Sequence, residues 1–278
     1  MNNKFKINDA NLHYFRTLIK TLFVCKNPEL NFNKNLTFVL MNFVQKNLAN
    51  AFTLGNLFSG SIGVIELIKG NYEITAICII VSLILDFLDG FVARAMKTDS
   101  NLGAQLDSLA DMVTFGLLPG IAMYKALEPF GNQILGIDLP FEFKYIGLLI
   151  TVFSCLRLAI FNLDDEQTYY FKGLNTPSNT ILIFGLYYVL SEKYYFINVY
   201  SETLVVLLLI TILSSWLLIS PIKMIALKFK SMKIKDNYPK LALLIGGFII
   251  LIIFGIVGIP LVIVFYILIS ILFQKQLK

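Results

Sequence analysis

The sequence predicts an all-α, polytopic integral membrane bundle of about eight transmembrane helices. Three observations carry that prediction. Hydrophobic residues fill 57% of the 278 positions and the mean hydropathy is +0.74, well above a soluble domain, where nearly half of the residues are apolar. The apolar residues fall in runs near the ~20 residues that cross a ~30 Å hydrocarbon layer as a helix. Lys and Arg segregate to alternate connections, as the positive-inside rule requires of a spanning bundle.

In chain order, residues 1–45 are read as an N-terminal extension, rich in Asn and Lys. Its one apolar stretch, 18–25, is too short to span and no small-residue cleavage site follows it. Three readings stand for it: an interfacial helix lying on the membrane, a weakly ordered extension, or a mistaken upstream start with Met41 opening the natural chain. Residues 46–278 form the membrane domain. Its expected spans are 50–69, 73–95, 103–127, 145–161, 177–191, 203–220, 241–257 and 259–275. Only Gly258-Ile259-Pro260 separates the last two, which also fit a single re-entrant pair.

With the N-terminus inside, 18 of the 23 Lys and Arg fall on inside segments and four on outside segments, while Arg157 lies within a span. That asymmetry places the connection after the second span at the cytoplasmic face. The net charge of +5 is thus a topology signal and implies no nucleic-acid partner. The basic run from Lys228 to Lys235 also suits anionic lipid headgroups. Three cysteines without metal-type spacing read as packing residues, and a single histidine, His13, excludes mechanisms that need a His pair.

Against this apolar background, residues 86–111 read DFLDGFVARAMKTDSNLGAQLDSLAD. At ~100° per residue, Asp86, Asp89, Gly90, Ala93 and Arg94 share one helix face. Asp107 and Asp111 stack one turn apart on the next helix, with Gly103 a turn before them. A short turn between antiparallel helices would bring the four carboxylates together. Each acid costs about 2.5–3.5 kcal/mol at the centre of a membrane helix, so the group needs neutralising. Oxygen ligands select hard cations such as Mg²⁺, Mn²⁺ or Ca²⁺, and paired ions serve phosphoryl-type transfers. Gly90, Ala93 and Gly103 leave room for a bulky phosphate-bearing group to reach the backbone, or are simply small-residue helix contacts. Arg94 offers a phosphate fork.

The pattern Asp86-x-x-Asp89-Gly90-x-x-Ala93-Arg94, eight residues, Gly103-x-x-x-Asp107-x-x-x-Asp111 resembles the signature of the CDP-alcohol phosphatidyltransferase family at every defined position. The resemblance implies an integral membrane enzyme that binds a CDP-linked alcohol and two divalent metals, Mg²⁺ or Mn²⁺, through these aspartates. It further implies Asp111 as general base, CMP as leaving group and a homodimer. The flanking stretches Phe52–Gly60, Asp107–Pro119, Leu156–Asn162 and Phe171–Ser178 are similar to the phosphatidylserine synthase branch, with Ile160 where arginine is usual and Asn175 where proline is usual. That branch implies CDP-diacylglycerol and L-serine as substrates, with Ser108 at the site and the enzyme in the inner membrane of a bacterium.

Two further stretches are read from their residues. Arg157, inside a span, either anchors a carboxylate or phosphate in a cavity or snorkels to the surface. Around 171–178, Lys172 and the hydroxyls of Thr176 and Ser178 either line the site mouth or belong to a helix start, with Thr176 as cap and Pro177 in the first turn. A phosphorylated acceptor such as glycerol 3-phosphate or inositol phosphate would want more cations than Arg157 and Lys172 supply. An ion-coupled transporter, the rival from another class, would show broken helices in two related halves; no internal repeat is evident.

Overall fold

The computed structural model describes residues 28–96, 100–134, 137–138, 140–164, 170–193, 201–226 and 234–274. The chain divides into two units, Met1–Leu48 and Ala49–Lys278. In the first, only helical backbone from Pro28 is described, so the readings made for residues 1–27, including His13, lie outside the described residues, as do Lys97 and the core of the 228–235 basic run.

Helix α1 (Pro28–Ile68) continues into the second unit, and α2 (Tyr72–Met96) follows it. Helix α3 (Asn101–Asp111) starts on Ser100, whose side chain accepts from the Gly103 amide, as an N-cap should. A π-helical turn, Met112–Leu117, then leads into α4 (Leu118–Leu127). Helix α5 (Leu149–Leu163) follows a 3₁₀ segment, Phe143–Leu148. Helices α6 (Thr176–Lys193) and α7 (Ser201–Ile219) precede α8 (Ile234–Phe254) and α9 (Gly258–Leu272). Gly246 abuts Phe265 and Gly247 abuts Val262, so α8 and α9 fold back on each other as an antiparallel hairpin.

The protein is an all-α polytopic membrane protein. Among the described residues, six stretches are long and apolar enough to cross a membrane: 47–68, 72–96, 101–130, 143–163, 202–219 and 237–272. The expected eight exceeds this count for two reasons. The α6 stretch carries Thr176, Ser178, Asn179 and Thr180 at its start and falls short in apolarity, and 237–272 is one apolar stretch that bends into two helices.

Two small antiparallel ribbons occupy connections. One pairs β1 (Gln133–Ile134) with β2 (Ile137–Asp138), and the other pairs β3 (Tyr170–Lys172) with β4 (Lys223–Ile225). The far edge of β4 is completed by α9 side chains: Ser270 Oγ accepts from the Ile225 amide and the Tyr266 hydroxyl donates to the Ile225 carbonyl. Buried backbone groups outside helices thus find partners, as low-dielectric surroundings demand.

The core centres on α4, where Leu118, Ala122, Met123 and Leu127 are buried against Ile150 of α5, Ile183 of α6 and Leu204 of α7. The carbonyls loosened by the π turn are taken up from outside it. The Thr180 hydroxyl donates to the Phe115 carbonyl and the Thr151 hydroxyl to the Gly116 carbonyl. These bonds lock α5 and α6 against the end of α3, one turn from Asp111.

Candidate active site

Asp86 and Asp89, three residues apart on α2, face α3, which carries Asp107 and Asp111 one turn apart. One carboxylate oxygen from each of Asp86, Asp89 and Asp107 lies within 4.8 Å of the others. Asp111 comes within hydrogen-bonding reach of Asp86. Asp89 and Asp111 are buried, at 7% and 9% exposure, and Asp86 and Asp107 are partly open. The structure therefore assembles the four acids that the spacing suggested. Carboxylates this close repel one another unless a proton or a cation stands between them.

Helix α1 supplies two side chains that the sequence reading did not single out as functional. The Thr53 hydroxyl donates to Asp89 Oδ2 at 2.7 Å, and the Asn56 amide nitrogen donates to Asp111 Oδ1 at 3.3 Å. Each half of the acidic pair is thus oriented from the same helix. The available signal was two polar residues three apart in an apolar span, which places both on one face.

Gly60 sets how closely α1 approaches. A Cβ there would stand 2.0 Å from Thr114 Oγ1 and 3.0 Å from the Thr114 Cα, so only glycine fits against the π turn. In this contact the Asn56 carbonyl accepts from both Ser82 and Thr114, each at 3.3 Å.

The small-residue face is also in place. Gly90 leaves space over which the exposed Arg94 folds, its Nη1 lying 3.3 Å from where a Cβ would be, and Ala93 is half-buried beside it. Gly103 faces Ser100 Oγ and Asn50 Oδ1 at 3.2 and 3.4 Å. Ser108 is engaged with Asn162, which donates to its hydroxyl at 2.8 Å, bridging α3 to the end of α5.

Arg157 is 7% exposed and does not reach the surface. Its Nη1 donates to Thr176 Oγ1 at 3.5 Å, its Cζ sits 5.2 Å from the centre of the Phe161 ring, and its Nε has no hydrogen-bond partner among the described residues. It interacts electrostatically with Asp111. The guanidinium lines a cavity of about 310 Å³ whose wall includes Phe161, Asp164, Lys172 and the segment 218–221. Lys172 pairs with Asp164 at 2.8 Å. Gly173, at φ 75°, lets the chain pass where a Cβ would meet the Leu218 carbonyl at 2.6 Å, and so closes this wall.

Thr176 contacts Arg157 and is the first residue of α6, not its cap. Asn175 caps that helix, its Oδ1 accepting from the Ser178 amide at 2.7 Å. Asn and Thr both cap well, and the Asn175 amide oxygen, one residue earlier, takes the position. Thr176 is thereby released to face Arg157.

The comparisons with known proteins agree with this geometry. The family model for CDP-alcohol phosphatidyltransferases matches residues 46–274. CDP-diacylglycerol–serine O-phosphatidyltransferase of Helicobacter pylori (strain J99) is 32% identical over 163 residues, 56% of this chain and 62% of that protein. The Bacillus subtilis (strain 168) enzyme of the same name is 31% identical over 125 residues, 45% of this chain and 66% of that protein. Archaetidylserine synthase of Methanothermobacter thermautotrophicus is 28% identical over 178 residues, 63% of this chain and 68% of that protein. The chain spans just under two thirds of the length of the Helicobacter and Bacillus relatives. Three aspartates converging between α2 and α3, with Asp111 against Asp86, and a family match over most of the sequence lead to one assignment: the chain belongs to the CDP-alcohol phosphatidyltransferase family.

Proposed function

We propose that the protein transfers the phosphatidyl group of CDP-diacylglycerol to L-serine, giving phosphatidylserine and CMP, by direct displacement. The observation that carries this reading is the convergence of Asp86, Asp89 and Asp107 within 4.8 Å, with Asp111 against them and the buried Arg157 beyond. The names of the relatives point to the same donor and acceptor.

The donor set fits hard divalent cations: every side chain in the cluster is a carboxylate, and among the described residues no soft ligand accompanies them. Asp86, Asp89, Asp107 and Asp111 would hold two Mg²⁺ or Mn²⁺ ions. When bound, such ions neutralise diphosphate oxygens and the charge developing on the departing CMP.

The chain's own residues do the rest. Gly90, Ala93 and Gly103 open a path for the diphosphate to the helix backbones, and Arg94, beside Gly90, offers it a forked donor. Asp111 takes the proton from the serine hydroxyl. The serine oxygen forms a bond to the phosphorus that bears diacylglycerol. The bond from that phosphorus to the bridging oxygen breaks, and its electron pair leaves with CMP. Arg157 anchors the acceptor's carboxylate, with Thr176 steadying the guanidinium. Lys172 stands at the mouth, and Ser108 holds α5 in register. The charge asymmetry of the connections favours a cytoplasmic site, and the bacterial relatives favour an inner membrane as its setting. Residues 46–278 would form the catalytic domain, working as a homodimer.

The test is CMP release by purified protein from CDP-diacylglycerol with Mn²⁺ or Mg²⁺ and a panel of acceptors. L-serine should exceed inositol, choline and glycerol 3-phosphate. Release with a phosphorylated acceptor alone would overturn the serine assignment while keeping the chemistry.

A further inference from the structure

Beyond the aspartate cluster, the cavity at Arg157 has a charge pattern that the proposed reaction leaves unassigned. Among the described residues its deep charge is Arg157, held by Thr176 and Phe161, with no hydrogen-bond partner there for Nε. At its rim stand two charges of opposite sign, Lys172 and Asp164, joined at 2.8 Å. Asp164 is the more covered of the two, its side chain 16% exposed against 37% for Lys172. The remaining wall is largely apolar, with Ile160, Phe161, Leu218 and Pro221. At the ~30 Å³ that a water occupies in the liquid, 310 Å³ admits a small polar solute with a few waters.

Asp164 is set by the end of α5. It is the residue that stops the helix, in extended backbone conformation, and its amide donates to the Phe161 carbonyl. Arg157 and Asp164 therefore stand seven residues apart on one element, close to the same face. The result is a cationic group at the base of the cavity and an anionic one at its edge.

We infer that Asp164 is the residue that reads the acceptor's ammonium group. The inference rests on the serine reading above. A zwitterion entering the cavity places its carboxylate at Arg157 and its ammonium at Asp164, and Lys172, on the more open side, exchanges its partner for water. The exchange takes place on the Lys172 side of the pair, where the side chain is 37% exposed and water can solvate the ammonium. The same carboxylate repels a dianionic phosphorylated acceptor, which makes Asp164 a discriminating element as well as an attractive one.

The experiment compares L-serine with 3-hydroxypropionate, which keeps the hydroxyl and the carboxylate and lacks the amine. The full chain is assayed for CMP release from CDP-diacylglycerol, and the readout is the ratio of kcat/KM for the two acceptors. That ratio does not depend on how much protein is folded. Wild type should favour serine by about tenfold or more, and Asp164→Asn should reduce the preference by about tenfold. Lys172→Met breaks the same ion pair but keeps the Asp164 carboxylate and removes its competitor, so it should keep the preference for serine or raise it. A ratio unaltered in Asp164→Asn, or reduced equally in both variants, would overturn the inference and make the pair a structural strut. If Asp164→Asn yields no folded protein, wild type decides: equal use of both acceptors refutes ammonium recognition. Failure of the underlying reading looks different, since wild type would then release CMP with neither acceptor and only with a phosphorylated one.

Discussion

The stretch 101–130, which carries Asp107 and Asp111, and the α8–α9 hairpin within 237–272 are opposite extremes of one molecule. The first is the least apolar of the six candidate spans, with mean hydropathy 1.3, and it is the most buried, with 56% of its central residues covered. The second is the most apolar, at 3.2, and the least buried, at 11%. A soluble protein would invert that order. In a bilayer the outer surface meets lipid as apolar as any core, so strong hydropathy marks what faces lipid. Weak hydropathy marks what is held by polar contacts inside. The hydroxyls of Thr114, Thr151 and Thr180 and the amide of Asn56 do that holding here, and they do it around Asp111.

Substitutions should therefore be costly along the central stretch and cheap on the hairpin. The largest effect is expected at Asp111. An amide still offers an oxygen but accepts no proton, so Asp111→Asn should fold, bind CDP-diacylglycerol and lose turnover about 10²–10⁴-fold. Near wild-type rate would remove Asp111 from the base role, and loss of nucleotide binding would make it chiefly a ligand.

Gly60→Val comes next, since its side chain would collide with the Thr114 backbone as well as its hydroxyl. Overpacking of this kind costs about 1–3 kcal/mol. It should appear as a lower melting midpoint in detergent together with reduced turnover, because the same contact orients Asn56. Thr53→Val keeps the shape and deletes the donor to Asp89. A lost hydrogen bond to a charged group is worth about 1.5–3 kcal/mol, so CMP release should fall by about tenfold or more with folding retained. At the other end, Ile252→Val on the exposed face of α8 should change the melting midpoint and the activity negligibly, with stability within about 0.5 kcal/mol. A hairpin substitution as damaging as Gly60→Val would break the contrast between the two regions.

The same contrast explains what was legible in the sequence. The aspartates were readable because four acids in an apolar chain have few explanations, and helical spacing alone puts each pair on one face. The apolar runs were readable too, but hydropathy could not separate a single long stretch from a bent one at 237–272, nor rank α6, whose polar first turns lower its score. The roles of Thr53 and Asn56 were hidden because their partners lie 36 and 55 residues away, and periodicity does not say which neighbour a polar face will meet. The π turn had no local signal either. It is sustained by hydroxyls from α5 and α6, which are long-range partners. The α6 cap moved by one residue because Asn175 and Thr176 are both competent caps and only the fold decides between them.

If the carboxylates of Asp86, Asp89 and Asp107, each with an oxygen within 4.8 Å of the others, act as a divalent-metal centre for phosphatidyl transfer, turnover must depend on the ion. The most direct measurement is CMP release from CDP-diacylglycerol and L-serine by purified protein after exhaustive chelation, followed by stepwise return of Mn²⁺ or Mg²⁺. Turnover should vanish in the chelated protein and return with the divalent ion, with no recovery on adding monovalent salt. Full turnover in the chelated protein would contradict the account.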